Sequence, residues 1–173
     1  MITFRIQRYF SSASGTLGKM FVTTPSSDII LDTIESRCPN DSKIYTGLCL
    51  PPGEYPMLTQ RVLLNFEGEI RPYPWFYVDR VLGFPLASLV SWKGEEYIKG
   101  ARIQYGRLNS INEMKDGYRA AKELFVLLKP YFDFENYEFT EDVKLIIEER
   151  EDMERVRARR RVVREDEEYV LPI

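Results

Sequence analysis

Three groups of side chains in this 173-residue sequence are of types that do chemistry: the cysteines Cys38 and Cys49, the carboxylate of Glu35, and the basic run Arg155-Val-Arg-Ala-Arg-Arg-Arg161. A cysteine acts as a nucleophile when a base or a positive field holds it as the thiolate. Histidine is the usual base, and the chain has 0. That absence also removes Ser-His catalysis, an imidazole general base and any His-containing zinc or iron site. Cys49 stands beside Leu50-Pro-Pro52 with no obvious base, and a pair of cysteines cannot complete a tetrahedral zinc site. Both are read as reduced, buried thiols, since one disulfide is too few to mark a secreted scaffold. Glu35 ends an alternating stretch and is read as a sheet-face carboxylate in a surface ion pair, because an isolated carboxylate signals little without a partner. No catalytic residue, cofactor or metal ligand is expected.

The basic run suggests nucleic acid at first sight. Glu148, Glu149, Glu151, Asp152 and Glu154 precede it, however, and Glu165, Asp166, Glu167 and Glu168 follow. The formal net charge of -3 leaves no overall excess of Lys and Arg to displace counterions from phosphates, which disfavours nucleic acid. Blocks of opposite sign favour i,i+4 pairs within a helix and sign-matched contact with another chain, so a solvated single helix and an inter-subunit arm both stay open. The ending Glu168-Tyr-Val-Leu-Pro-Ile173 is an apolar peptide of a kind that adds to a neighbour's sheet or fills its groove. Candidate partner-binding residues are therefore Arg155, Arg157, Arg159, Arg160, Arg161, Tyr169, Val170, Leu171 and Ile173. Tyr73, Trp75, Phe76 and Tyr77 form an aromatic cluster between prolines, readable as a recognition platform or as core packing.

Two kinds of element must position these groups. Hydrophobic residues at 44% and charged residues at 29% describe a folded chain, and the length suits one compact domain with an appendage. Up to about Arg107 the text is strand-like. Ile2, Phe4 and Ile6 alternate, Thr16–Val22 and Ile29–Ile34 follow across turns, and Arg61–Phe66, Trp75–Leu82, Ala87–Trp92 and Ala101–Tyr105 continue the pattern. Residues 37–48 read as a loop, and Leu50–Pro56 as a rigid connection. Beyond Ser110 the period changes: Met114, Tyr118, Ala121, Leu124, Phe125 and Leu128 predict an amphipathic helix capped by Ser110 or Asn112 and stopped by Pro130. Tyr131–Phe139 reads as a linker pinned by its rings, and Thr140 as the start of a charged helix running to about Arg164. The predicted class is α+β: a compact β-rich domain, barrel-like or sandwich, with one packed helix over residues 1–130, then a long charged C-terminal helix or arm over residues 131–173. The first domain is expected to fold without residues 140–173. Arg5 and Arg8 interrupt any signal-like apolar stretch, and no run approaches the ~20 apolar residues that span a bilayer, which predicts a soluble protein made in the cytoplasm, with no membrane partner.

The order Thr16-Leu-Gly-Lys-Met20, Asp32-Thr-Ile-Glu35, Leu50-Pro-Pro-Gly-Glu-Tyr55, Val81-Leu-Gly-Phe84 and Gly100-Ala-Arg-Ile-Gln-Tyr-Gly106 resembles a small domain-of-unknown-function family common in bacterial and phage genomes. That family's pattern runs Thr-x-Gly-x-Leu, Thr-Leu-Glu, Ile-Pro-x-Gly-x-Tyr, Val-x-Gly-Phe, His-x-Gly and Gly-Cys-Ile-x-x-Gly, and the likeness covers roughly Phe4 to Leu128. The resemblance implies a compact β-rich domain with one packed helix. The family's His-x-Gly and Gly-Cys elements are similar to those of cell-wall L,D-transpeptidases, in which a histidine activates a cysteine thiolate. In this chain Trp92-Lys-Gly94 and Gly100-Ala101 stand there instead. The resemblance thus implies an inactive relative with a vestigial pocket of Glu35, Trp92, Ala101 and Arg102. With the phage association it implies a non-catalytic structural protein of a tailed-phage virion, a ring or connector subunit of the neck or tail, forming a homo-oligomer and meeting other virion proteins through its arm. Two alternatives stay open: a module acting on or binding cell-wall glycan or peptide through Glu35, Trp92 and the Trp75 cluster, and a host-directed regulator whose arm binds one partner.

Overall fold

Strict alternation at the N-terminus builds the first strand of the computed structural model, which describes residues 1–11, 15–36, 49–66, 69–81, 84–91, 101–109 and 114–149. In β1 (Ile2–Ser11) the side chains of Ile2, Phe4 and Ile6 are fully buried while Arg5 and Gln7 face solvent, as a period of two requires. β2 (Thr16–Thr23) and β3 (Asp28–Glu35) follow as antiparallel neighbours. Thr24 closes their turn by donating its hydroxyl to the Ser27 carbonyl at 2.8 Å and accepting the Ser27 N–H at 3.1 Å. The remaining strands are β4 (Gly53–Pro56), β5 (Leu58–Phe66), β6 (Glu69–Val81), β7 (Phe84–Val90), β8 (Ala101–Leu108) and β9 (Met114–Lys115). Beyond the helix α1 (Gly117–Leu128) come the short hairpin strands β10 (Phe132–Asp133) and β11 (Glu138–Phe139), then β12 (Val143–Glu149).

The main sheet runs β4-β12-β1-β2-β3-β8-β7-β6-β5, with β9 added on β8. Its two end strands are consecutive in the chain, separated by Met57 alone, so the sheet curls back on itself as a nearly closed barrel. The first half of this bent segment pairs with β12 and the second half with β6, while the buried Met57 donates its N–H to the Val143 carbonyl at 3.1 Å. Residues of one parity on each strand fill the interior, among them Met20, Val22, Leu31, Phe76, Val78, Ile103, Leu145 and Ile147. α1 lies against β8 and β3 and adds Ala120, Ala121, Leu124 and Leu128 to that core. Its outer face is tied down by Arg107, which donates to the Ile30 carbonyl and to Glu123 at 3.0 Å. Chiefly through that hydrogen bond, Arg107 holds the Glu123 carboxyl below its ordinary range.

The expected aromatic pinning is present. Phe132 meets Phe134, Tyr137 and Phe139 at ring separations of 5.0, 6.1 and 5.4 Å, and Phe139 stacks on Phe76 at 5.7 Å. Three expectations are corrected. α1 begins at Gly117, not at Ser110; Met114 and Lys115 are a strand, and Tyr118 is exposed. Met114 reaches over bare backbone at Gly106, where an added Cβ would stand 2.7 Å from its sulfur, and Asp116 then turns the chain with φ of 52°. The charged helix does not open at Thr140, because Val143–Glu149 pairs in parallel with β1 and antiparallel with β4. Val143, Ile146 and Ile147 fit a helical seam, but Val143, Leu145 and Ile147 fit a strand equally, and the barrel supplies two edges that reward the strand. Residues 150–164 of the expected helix lie outside the described residues. Cys49, expected as a reduced thiol, is disulfide-bonded; the one other cysteine, Cys38, lies outside the described residues. The reduced-thiol reading rested on compartment and size, which say nothing about which sulfurs the fold brings together. Among the described residues no helix is long and apolar enough to cross a membrane.

Since β12 joins β4 to β1, the domain should not survive loss of residues 141–173. A chain ending at Glu149 is expected to keep a cooperative melt by circular dichroism and one ending at Thr140 to lose it; equal melts would show that β12 is dispensable.

Candidate functional site

The parity that buries Ile2, Phe4 and Ile6 also sends Arg8 into the barrel. Its register neighbours form one row across the sheet: Glu149 on β12, Gly18 on β2, Thr33 on β3 and Tyr105 on β8. Gly18 is required there, since an added Cβ would lie 2.6 Å from the Thr33 hydroxyl and 3.1 Å from the Gln7 carbonyl. Arg8 is wholly buried and its guanidinium grips Glu35 with two bonds, Nε to Oε1 at 2.9 Å and a terminal nitrogen to Oε2 at 2.6 Å. The same nitrogen donates to the Leu50 carbonyl at 2.8 Å, and the other terminal nitrogen stands 3.8 Å from Glu149. Cys49 and Leu50, both buried, lie over this end of the barrel.

Glu35 is therefore not the surface carboxylate expected of it. With 3% of its surface exposed and both oxygens taken by N–H donors, it is closed to any substrate atom. Of the other vestigial-pocket residues, Arg102 is half-buried on β8 one residue before Ile103, the register partner of Glu35, so the two fall on opposite faces of the sheet. Ala101 takes part in the β7–β8 ladder opposite Ala87. Trp92 and the partner-binding set Arg155, Arg157, Arg159, Arg160, Arg161, Tyr169, Val170, Leu171 and Ile173 lie outside the described residues. In the aromatic cluster Phe76 is core, whereas Trp75 and Tyr77 share the opposite face, half-buried, with ring centroids 5.5 Å apart. Sequence reasoning missed Arg8 altogether. The signal was present, since Arg8 continues the 2-4-6 series, but a buried charge is the exception that pattern-reading discards.

The opposite end of the barrel is different. Where β4 bends into β5 a groove of about 770 Å³ opens, with Met57, Leu58, Tyr77, Phe139 and Val143 among its apolar lining. Carboxylates surround it. Glu54 pairs with Lys144 at 2.9 Å and Glu141 with the N-terminal ammonium, while Glu138 and Asp142 have no ion-pair partner among the described residues.

Searches of protein-family models, curated proteins and solved structures yield no match to this chain.

Breaking the buried pair from one side should cost far more than removing it whole. Arg8→Met is expected to lower stability to urea by about 3–5 kcal/mol, and Arg8→Met with Glu35→Leu to restore most of it. Equal losses in the single and double variants would mean the pair does not act as a unit. The Thr33 hydroxyl beside it is buried with no hydrogen-bond partner among the described residues. Thr33→Val should therefore be neutral or stabilising by up to about 1 kcal/mol, and a clear loss would reveal a partner for that hydroxyl.

Proposed function

We propose that this chain is a non-catalytic assembly protein, a ring or connector subunit of the neck or tail of a tailed-phage virion. The observation that carries the non-catalytic part is the closure of Glu35 by Arg8. Three of the motifs behind the family resemblance meet at that contact: Thr16 and Gly18 from the first, Thr33 and Glu35 from the second, Leu50 from the third. Such convergence supports a motif set kept for holding a barrel together, not for reacting with a substrate. The virion assignment rests on the phage association of the resembling family and on the arm of residues 150–173, whose alternating charge blocks and apolar tail suit contact between subunits.

One observation favours the alternative of a cell-wall glycan or peptide module: the Trp75–Tyr77 pair, its rings tilted by 31°, lies on the face opposite the core, where an aromatic ring can receive a sugar. Light scattering after size exclusion separates the readings. A discrete oligomer that weakens as salt rises is expected, because exposed charge contacts are screened. A chain that stays monomeric, alone and mixed with virion neck and tail proteins, and binds peptidoglycan through Trp75, with Trp75→Ala abolishing retention, would overturn the assembly reading.

A further inference from the structure

The groove at the Met57 bend and the point where the described chain ends lie at opposite ends of the barrel. β12 starts beside the groove at Val143, level with Ile2, and finishes at Glu149, level with Arg8. Six residues of strand separate the two by about 20 Å. The sequence then continues through residues 150–173, enough chain to span roughly 80 Å when extended.

The basic run in that segment alternates. Arg155, Arg157, Arg159 and Arg161 share one parity, with Val156, Ala158 and Arg160 on the other. Over residues 155–159 an extended strand of this pattern carries three guanidinium groups on one side and the small apolar groups of Val156 and Ala158 on its opposite face. The groove is the complement: an apolar floor including Met57, Val143 and Phe139, and a rim on which Glu138 and Asp142 have no cationic partner among the described residues. Its walls also include β4 and β5, the end strands of the sheet, each with a single ladder neighbour among the described residues.

We propose that this groove receives the Arg155–Arg159 stretch of a second copy of the chain, in extended form, with Arg155, Arg157 and Arg159 on the acidic rim and Val156 and Ala158 on the apolar floor. The inference rests on the assembly reading and deepens it by naming the receptor. Because the described chain ends at Glu149, at the opposite end of the barrel from the groove, the contact joins two different surfaces of the subunit, head to tail, and repetition closes into a ring when the rotation between copies allows.

The test uses the full chain and two charge-reversed variants, Glu138→Lys with Asp142→Lys in the groove and Arg155→Glu with Arg157→Glu and Arg159→Glu in the arm. All changed groove residues are exposed, and unchanged melts confirm folding. By light scattering at low salt, the wild-type chain is expected to associate, each variant alone to bind itself at least tenfold more weakly, and an equimolar mixture of the two to associate again. Wild-type oligomers indifferent to the groove charges would overturn this inference and leave the assembly reading standing. So would association lost in both variants and not regained on mixing. A wild-type monomer whose arm cross-links to its own groove overturns the second-copy proposal, and one that also ignores virion proteins removes the assembly reading with it.

Discussion

A guanidinium with no exposed surface, gripped by a carboxylate almost as deeply buried, is the contact on which this barrel's arrangement turns. Taking both charges out of water costs several kcal/mol per ion, and the pair offsets that only when geometry is close and the remaining donors are used. Here the carboxylate is held by two parallel bonds and the guanidinium also holds the Leu50 carbonyl. Such a pair is weak as a source of net stability but strict about register. Sliding β1 by one residue would turn Arg8 outward, bring Gln7 or Tyr9 into the interior, and leave Glu35 buried alone. The contact therefore selects one pairing among strands β1, β2 and β3 and fastens the segment at Cys49–Leu50 to it.

The interior has two unlike ends as a result. Toward Arg8 it is polar and closed, with Thr16, Thr33, Glu35 and the backbone of Leu50 in one cluster. Toward Ile2 it is apolar and opens at the bend where β4 becomes β5. A closing sheet that must change partners within one continuous strand cannot keep its ladder unbroken at the change, and Met57 is the residue where it breaks. The groove is a consequence of closure, and its acidic rim comes from the chain's return at Glu138–Asp142 into β12.

Period-two alternation made most strands legible in the sequence, because one inward face leaves a pattern that no helix shares over eight or ten residues. Ile2–Ser11, Thr16–Thr23 and Asp28–Glu35 lie within a residue or two of where that pattern puts them. Val143–Glu149 was illegible for a physical reason. Its seven residues satisfy both periods, its continuation is rich in helix-forming charged residues, and its strand state is imposed by β1 and β4, which lie far away in the chain. The start of α1 was hidden by a tertiary contact, Met114 over Gly106, which converts a helical seam residue into a strand residue. For the candidate site, Glu35 was singled out but its partner was not: parity alone identifies Arg8 as inward, yet only the assembled barrel supplies the second charge that makes burial tolerable.

The direction of β12 has a consequence for any role in assembly. It runs parallel to β1 between two strands of the sheet, so its bonds to both neighbours lie across the strand axis. A pull on residues beyond Glu149 acts along that axis and loads the two ladders together as a shear, instead of opening them one bond at a time. Glu149 itself sits 3.8 Å from Arg8, which ties the exit point to the buried pair and through it to Glu35 and Leu50. The strand therefore ends beside the part of the interior least able to shift, because moving Arg8 or Glu35 leaves the other buried without its partner. That anchorage suits a segment holding a neighbouring subunit better than one that only trails in solvent.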